Sequence, residues 1–472
     1  MNEQTTDAHD RNKALDPGQS FIVDAPAGSG KTTLLTQRFL RLLSITEQPE
    51  SIVAITFTRK AAEEMRGRIL EALRLARDNP YELDPVTRRW AQAALVTSNE
   101  KNWRLLDDPR RLRIQTIDSL CAMLARRGPL LSGYTGDAEV RDNATQLYQQ
   151  AAHATVGVLA QRGVWSDAVQ ILLRHLDNDW QRLEGLLVDM LAKRDQWLRI
   201  VIQDPDREMF EMALEIAVTD ELADLERILP TAIRNELIHL GRAVGAYLSS
   251  EAPEDPNSIL AELSILPSAV SDDLPLWQAF ARLFLTNDDE IRKRVTKSQG
   301  LPTKGPGAAE NKALFMTLAA QIAATPELVA ALSKIRLAPT PSYSNTQWSS
   351  VQALFRVLKL AAAELRVTFR RSGVVDFSEV SHAALAALGN GNEPSDLGLL
   401  LDYQIQHLLI DEFQDTSITQ YELIERLLGG WSEGDGRSLF LVGDPMQSIY
   451  RFRQAEVGLF LETRNNARLA SI

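Results

Sequence analysis

Apolar residues run together in four short stretches of this chain: Phe21–Pro26 (FIVDAP), Ser51–Thr58 (SIVAITFT), His407–Phe413 (HLLIDEF) and Ser438–Asp444 (SLFLVGD). A fifth β-rich stretch, Arg113–Ile117 (RIQTI), is more polar. Continuous apolar runs bounded by turn residues are the pattern of strands buried on both faces of a parallel sheet. Helical spacing follows several of them, as in Lys31–Leu43 and Lys60–Ala76. The β-α-β order predicts an α/β fold whose working loops sit at the C-terminal ends of the strands.

Between residues 128 and 372 the pattern changes. Apolar positions recur at helical spacing in Trp180–Ile202 and Trp348–Phe369, and strand signals are scarce. Breakers divide this block at Ala252–Asn257 (APEDPN), Thr296–Gly307 (TKSQGLPTKGPG) and Ala338–Ser344 (APTPSYS). Because strand signals resume after it, the block reads as a large all-α insertion into an α/β domain made of residues 1–127 and 373–472. No internal repeat or low-complexity tract stands out.

Composition narrows the class. Hydrophobic residues make 44% of the 472 and charged residues 24%, as in ordinary globular chains of roughly two to four domains. No apolar run approaches the roughly 18 residues of a membrane span. The N-terminal stretch MNEQTTDAHDRNKALD is polar and lacks a signal peptide's apolar core. Cys121 is the single cysteine, and the six histidines show no metal-ligand spacing. A soluble, cytoplasmic protein without a structural metal is expected. The net charge of −12 hides an asymmetry. Residues 1–127 carry 20 Lys+Arg against 17 Asp+Glu, a net of +3, and the remainder carries 31 against 46, a net of −15. An acidic average therefore does not exclude DNA, since one face can be basic.

Several segments carry candidate chemistry. Ala25-Pro26-Ala27-Gly28-Ser29-Gly30-Lys31-Thr32 follows a predicted strand and opens a predicted helix. It matches the phosphate-loop pattern with alanine in the first glycine position. Gly28 and Gly30 let backbone N–H groups wrap phosphates, Lys31 suits the β- and γ-phosphates, and Thr32 suits Mg²⁺. In His407–Ser417 (HLLIDEFQDTS) an apolar strand delivers two adjacent carboxylates. Asp411 suits Mg²⁺ coordination, and Glu412 can polarise the water that attacks the γ-phosphate. Alone, such a pair is a common strand end; beside a phosphate loop in the same chain it points to nucleotide hydrolysis.

Four further segments stay ambiguous on their own residues. In Leu441–Ala455 (LVGDPMQSIYRFRQA), Gln447 lies just beyond a strand, where a neutral donor can sense the γ-phosphate. Tyr450 and Phe452 alternate with Arg451 and Arg453, which suits base stacking with phosphate attraction or an aromatic pair closing the core. Thr56–Arg68 (TFTRKAAEEMRGR) offers Phe57, Thr58 and Arg59 at a helix start, fit for a DNA phosphate or for a capped helix with a solvated charged face. Gln115, Thr116 and Ser119 in QTIDS carry the same two readings, and Asp376–Glu379 (DFSE) resembles a helix capping box.

Together these segments resemble the UvrD/Rep family of superfamily-one DNA helicases, and the order of the segments is the family's order. APAGSGKT resembles motif I, TFTRKAAEEMRGR motif Ia, QTIDS the next DNA-contacting motif, LLIDEFQDTS motif II and GDPMQSIYRFRQA motif III, while DFSEV resembles the segment that re-enters the first motor domain. The form GDPMQSIYRFR, LAKRDQWL at Leu191–Leu198 and the length of the helical block are similar to the RecB/AddA branch.

The resemblance implies a RecA-like phosphate-loop NTPase domain in which the motif III strand lies between those of motifs I and II, placing Gln447 beside the γ-phosphate. It implies ATP with Mg²⁺ as cofactors, catalytic roles for Lys31, Asp411, Glu412 and Gln447, and 3′-to-5′ movement on single-stranded DNA. Phe57, Thr58, Arg59, Gln115, Thr116, Ser119, Tyr450 and Phe452 would contact the strand, with Phe452 as the stacking aromatic. The implied partners are duplex DNA ends and a nuclease or second helicase subunit. Break repair or recombination near the nucleoid is the implied setting, with no membrane role.

Two departures from the family pattern stand out. Arg11 occupies the place of the adenine-reading glutamine, and Gln19 lies only twelve residues before Lys31. No NFRS-like motif IV, second RecA-like domain or nuclease domain is found before Ile472. These 472 residues are therefore expected to be part of a motor. A nucleotide-gated DNA-binding or scaffold subunit without unwinding activity, and an unrelated phosphate-loop ATPase acting on protein, are the rival readings.

Overall fold

The computed structural model describes residues 3–26, 28–129, 138–390, 393–447 and 457–466. Contacts divide the chain into two compact units, Met1–Ile202 with Leu354–Ile472, and Gln203–Ala353.

The first unit is built on strands β1 (Phe21–Asp24), β2 (Ile52–Thr56), β3 (Arg113–Thr116), β4 (Glu139–Val140), β5 (Val374–Val375), β6 (Gly389–Asn390), β7 (Glu393–Pro394), β8 (His407–Ile410) and β9 (Ser438–Gly443). Five of them form one sheet in the order β1-β9-β8-β2-β3, every pair parallel. The motif III strand β9 thus lies between β1 and β8, as the resemblance implies. The three inner strands β2, β8 and β9 are buried at every position, and RIQTI takes the partly exposed edge as β3. Because all five strands run the same way, the residues that follow them collect at one edge.

Helices α1 (Glu3–Ala14), α2 (Lys31–Leu43), α3 (Arg59–Asp78), α4 (Pro85–Glu100) and α5 (Ile117–Arg127) punctuate the first three strands. Leu35, Phe39 and Leu40 of α2, Met65, Ile69 and Leu73 of α3, and Ala91 and Ala94 of α4 form one core with Ile52, Ala54, Phe440 and Val442 of the sheet. Each large apolar side chain buried in this way contributes about 1.5–3 kcal/mol. Arg38, on α2, is wholly buried. It donates to the carbonyls of Ala14, Asp16 and Gln19 and to Ser438 Oγ, and its guanidinium lies 5.2 Å from the Phe440 ring centroid. One side chain thereby seats the segment after α1 on the sheet, and these bonds satisfy the two terminal nitrogens of a buried guanidinium.

The second unit packs helices Arg207–Ile228, Arg234–Glu251, Leu274–Phe284, Ala308–Ala323 and Pro326–Leu337 around Trp277, Phe280, Phe284 and Phe315. Phe284 and Phe315 stack with centroids 5.2 Å apart. Gly245 marks a close approach, since a Cβ there would lie 2.0 Å from the Ala261 nitrogen. Among the described residues no single helix is long and apolar enough to cross a membrane. The pair Ala308–Ala323 and Pro326–Leu337 passes by length and composition with a 105° bend, but Phe315, Leu318, Ile322, Leu328 and Ile335 bury its apolar face in this core.

The block expected at 128–372 is divided differently. Residues 138–202 and 354–372 group with the sheet, and the second unit begins at Gln203. Nor is the block purely helical. β4 lies within it and pairs in parallel with β5, and Leu285 bridges to Ile291 in the second unit. Two-residue strands carry no periodicity that a sequence reading can register.

A buried ion pair also fixes that division. Arg194, in the LAKRDQWL segment, is 2% exposed and donates to both carboxylate oxygens of Asp376, at 2.6 Å for one of them. Tyr148 donates its hydroxyl to the same carboxylate at 2.6 Å, and the Glu379 backbone N–H donates at 2.8 Å. Burial alone would raise the Asp376 carboxyl; Arg194 and these donors hold it below the ordinary carboxylate range. Asp376 does cap the helix Phe377–Ala387, as the DFSE pattern predicts. The Glu379 side chain does not complete a capping box but faces Arg194 and Arg366 at 3.5 and 3.4 Å.

Candidate nucleotide and nucleic-acid sites

The loop after β1 is shaped by its glycines. Gly28 and Gly30 have φ of 77° and 84°, a left-handed conformation that side chains resist. Ala25 donates its backbone N–H to Gly443 of β9 at 3.1 Å, and Ser29 donates to the Pro26 carbonyl at 3.2 Å. Gly30 caps α2 without a side chain, so the helix's first N–H groups face the loop's concave side. The Ser29 hydroxyl is buried without a hydrogen-bond partner among the described residues. Left-handed glycines, a helix N-terminus and an orphaned hydroxyl fit a bound phosphate chain. Ala27 lies outside the described residues.

The pair at the end of β8 faces this loop. Lys31 Nζ is 3.5 Å from Glu412 Oε2, with the lysine 11% and the glutamate 38% exposed. Asp411 is tied to the sheet by donating its N–H to the Ile55 carbonyl at 2.9 Å. Burial pushes its carboxyl up to about 6, the Glu412 charge adds to the rise, and Lys31 opposes it. Glu412 has φ 53° and ψ 41°, a left-handed backbone on a residue with a full side chain. Such a conformation costs about 1–3 kcal/mol and aims the carboxylate away from the course of the strand.

Among the described residues no group of three or more His, Cys, Asp or Glu forms a metal site. Thr32 lies in the first turn of α2 and Asp411 directly follows β8, and each carries oxygen of the kind that a Mg²⁺ ion takes beside water and phosphate. Gln447 is turned back on its own loop: its N–H donates to the Asp444 carbonyl at 3.0 Å and its side-chain amide donates to the Asp444 carboxylate. Arg11, in the place of an adenine reader, donates to the Ser29 carbonyl of the phosphate loop.

A second site lies in the same unit. A cavity of about 1170 Å³ is lined by Phe57, Thr58, Arg59, Thr116 and Ser119, five of the residues expected to contact DNA. The hydroxyls there also have local work. Thr58 caps α3 by accepting from the Ala61 N–H at 3.0 Å, and Thr116 caps α5 by accepting from the Ser119 N–H at 3.1 Å. The capping role of these segments is thus realised, and their place on the cavity wall leaves the second role open to them. Phe57 is only 8% exposed, which limits the ring area open to a base. Gln115 lies on β3 but not on the cavity wall. Tyr450 and Phe452 lie outside the described residues.

The sequence reading missed Arg126, Arg127, Tyr148, Phe377 and Ser378, which line the same cavity. The adjacent arginines at the end of α5 were the available signal. Phe377 and Ser378 belong to the DFSE segment, which reads in sequence only as a helix cap and a re-entry segment; Tyr148 had no signal, because its neighbours in space are far away in sequence.

A sequence profile of the UvrD/REP helicase N-terminal domain matches residues 6–468. The chain is 27% identical over 473 residues to the A-type subunit of the ATP-dependent helicase/nuclease of Lysinibacillus sphaericus (strain C3-41), covering 94% of this chain and 36% of that protein. It is 26% identical over 490 residues to the protein of the same name from Exiguobacterium sibiricum, covering 98% and 37%. The chain thus spans about a third of the length of the curated relatives it matches.

Proposed function

The chain belongs to the UvrD/REP helicase family, and from that premise we propose that it forms the ATP-binding portion of an ATP-dependent 3′-to-5′ DNA helicase or translocase. The observation that carries this reading is the approach of Lys31 to Glu412 across the phosphate loop. It joins a phosphate-holding cation to a carboxylate in the role of general base. The five-stranded sheet is then the centre of a RecA-like motor domain whose two sequence halves are 1–127 and 373–472, with residues 128–372 inserted between them and the parts 138–202 and 354–372 of that insertion packed with the sheet.

In this reading the loop Ala25–Thr32 holds the triphosphate of ATP, and Lys31 neutralises charge that grows on the γ-phosphate as its bond breaks. Mg²⁺, held by Thr32 and Asp411, supplies further charge neutralisation when bound. Glu412 accepts a proton from the attacking water, and Gln447 reports whether the γ-phosphate is present. Single-stranded DNA lies along the cavity, with Arg59, Arg126 and Arg127 offering phosphate contacts and helix N-termini adding theirs. Tyr450 and Phe452 supply stacking. The proposal is completed by duplex ends as substrate, by a partner that is a nuclease or a second helicase, and by break repair or recombination at the cytoplasmic nucleoid. It is supported by the name of the relatives, which are helicase/nuclease subunits.

ATP turnover of the purified protein, with and without single-stranded DNA, tests it. Stimulation by DNA, lost in Lys31→Ala, is the expected result. Turnover that ignores DNA would favour an ATPase acting on protein. DNA affinity that depends on nucleotide, without any turnover, would favour a nucleotide-gated scaffold.

A further inference from the structure

Glu412 is not held by its backbone alone. Gln414, 1% exposed, donates its side-chain N–H to Glu412 Oε2 at 2.8 Å. Its Oε1 accepts the backbone N–H of Asp444 at 2.9 Å. One buried amide therefore joins the carboxylate after β8 to the chain leaving β9. Its orientation is dictated by its partners: the carboxylate can only accept and the backbone N–H can only donate.

The surroundings keep this amide in place. A Cβ on Gly443 would lie 2.5 Å from Gln414 Oε1 and 2.7 Å from the Phe460 ring, so only glycine leaves the amide its room. Beyond Asp444 the connection continues. One oxygen of its carboxylate accepts the Met446 N–H at 3.0 Å, and the other accepts the Gln447 amide. Three residues after Gln447 the chain reaches Tyr450.

We propose that Gln414 is a positioning residue that transmits the placement of the segment after β9 to Glu412. This rests on reading Glu412 as the base. A shift of the 444–447 turn when DNA engages the aromatics beyond it moves the Asp444 N–H. The Gln414 amide, bonded at both ends and enclosed, moves with it, and the carboxylate follows. Misplacing a catalytic group by about 1 Å costs on the order of 100-fold in rate, so a small shift suffices to switch turnover. Only an amide does this work. A glutamate in its place still accepts from Asp444 but sets a second carboxylate against Glu412, and a methionine of similar volume breaks both bonds.

The test compares purified wild type with Gln414→Glu, Gln414→Met and Lys31→Ala. It measures kcat with and without oligo-dT, the KM for ATP, DNA affinity and thermal unfolding. Both Gln414 variants should lose on the order of 10- to 100-fold in DNA-stimulated kcat. Their KM and DNA affinity should stay within about threefold of wild type, a split that general loosening of the fold would not give. A folded Gln414 variant with wild-type DNA stimulation overturns the proposal. So does failure of both variants to fold, which would make Gln414 a core residue. Lys31→Ala separates the two levels: if it turns over ATP like wild type, the nucleotide-site reading fails and the relay with it. If it is inactive while Gln414→Glu is normal, only the relay falls.

Discussion

Lys31 and Glu412 are separated by 381 positions in the chain, yet their charged ends meet at 3.5 Å. The parallel order β1-β9-β8 brings the loop after β1 and the end of β8 to one edge of the sheet, two strands apart. Lys31→Ala should remove ATP hydrolysis by at least 100-fold, since charge stabilisation at a transferring phosphoryl group is worth roughly 3–4 kcal/mol or more. Steady-state turnover with saturating ATP and DNA measures this, and circular dichroism confirms the fold. Unchanged turnover would remove the phosphate-loop assignment.

Glu412→Gln should bind ATP as wild type does and hydrolyse it about 10²–10⁴-fold more slowly, because the amide keeps the shape and loses the base. Equilibrium binding of a fluorescent ATP analogue beside single-turnover hydrolysis separates the two. Loss of binding in a folded protein would assign Glu412 another role.

The cavity wall makes separable predictions for DNA. Arg59→Ala and Arg126→Ala should each weaken binding on all sequences and reduce the salt slope by about one. Fluorescence anisotropy of a short labelled strand across a salt series reads both. A slope unchanged in both variants would place the strand elsewhere.

The Arg194–Asp376 pair should dominate local stability. Arg194→Met strands a buried carboxylate and should cost about 3–5 kcal/mol. The double variant Arg194→Met with Asp376→Leu should recover part of the loss, since no charge is then left unpaired. Urea unfolding decides. A single variant as stable as wild type would show that the pair contributes nothing.

His407 predicts a pH dependence. It is 3% exposed, and burial, helped by the Arg38 charge, lowers its imidazole from 6.5 to about 4. The unfolded chain then binds a proton that the folded chain refuses. The stability contributed by neutral His407 is complete above about pH 6.5 and is lost as the pH falls toward 4, on the order of 3 kcal/mol in all. Urea midpoints at pH 7.5 and 5 should differ more in wild type than in His407→Asn. Equal differences would show that another group carries the acid limb.

The five strands of the parallel sheet and the family were legible along the chain, as were the candidate phosphate loop and carboxylate pair. Buried parallel strands leave continuous apolar runs, and a phosphate loop demands particular residues at fixed local spacing. Tertiary structure decided what depends on distant partners. It bonded Asp376 to Arg194 and Tyr148, grouped residues 138–202 with the sheet, and brought Arg126 and Phe377 into the cavity with Arg59. It also gave Gln414 two partners, one of them 30 positions away. A buried amide or ion pair is set by what it meets in space, and no periodicity or local spacing along the chain encodes that meeting.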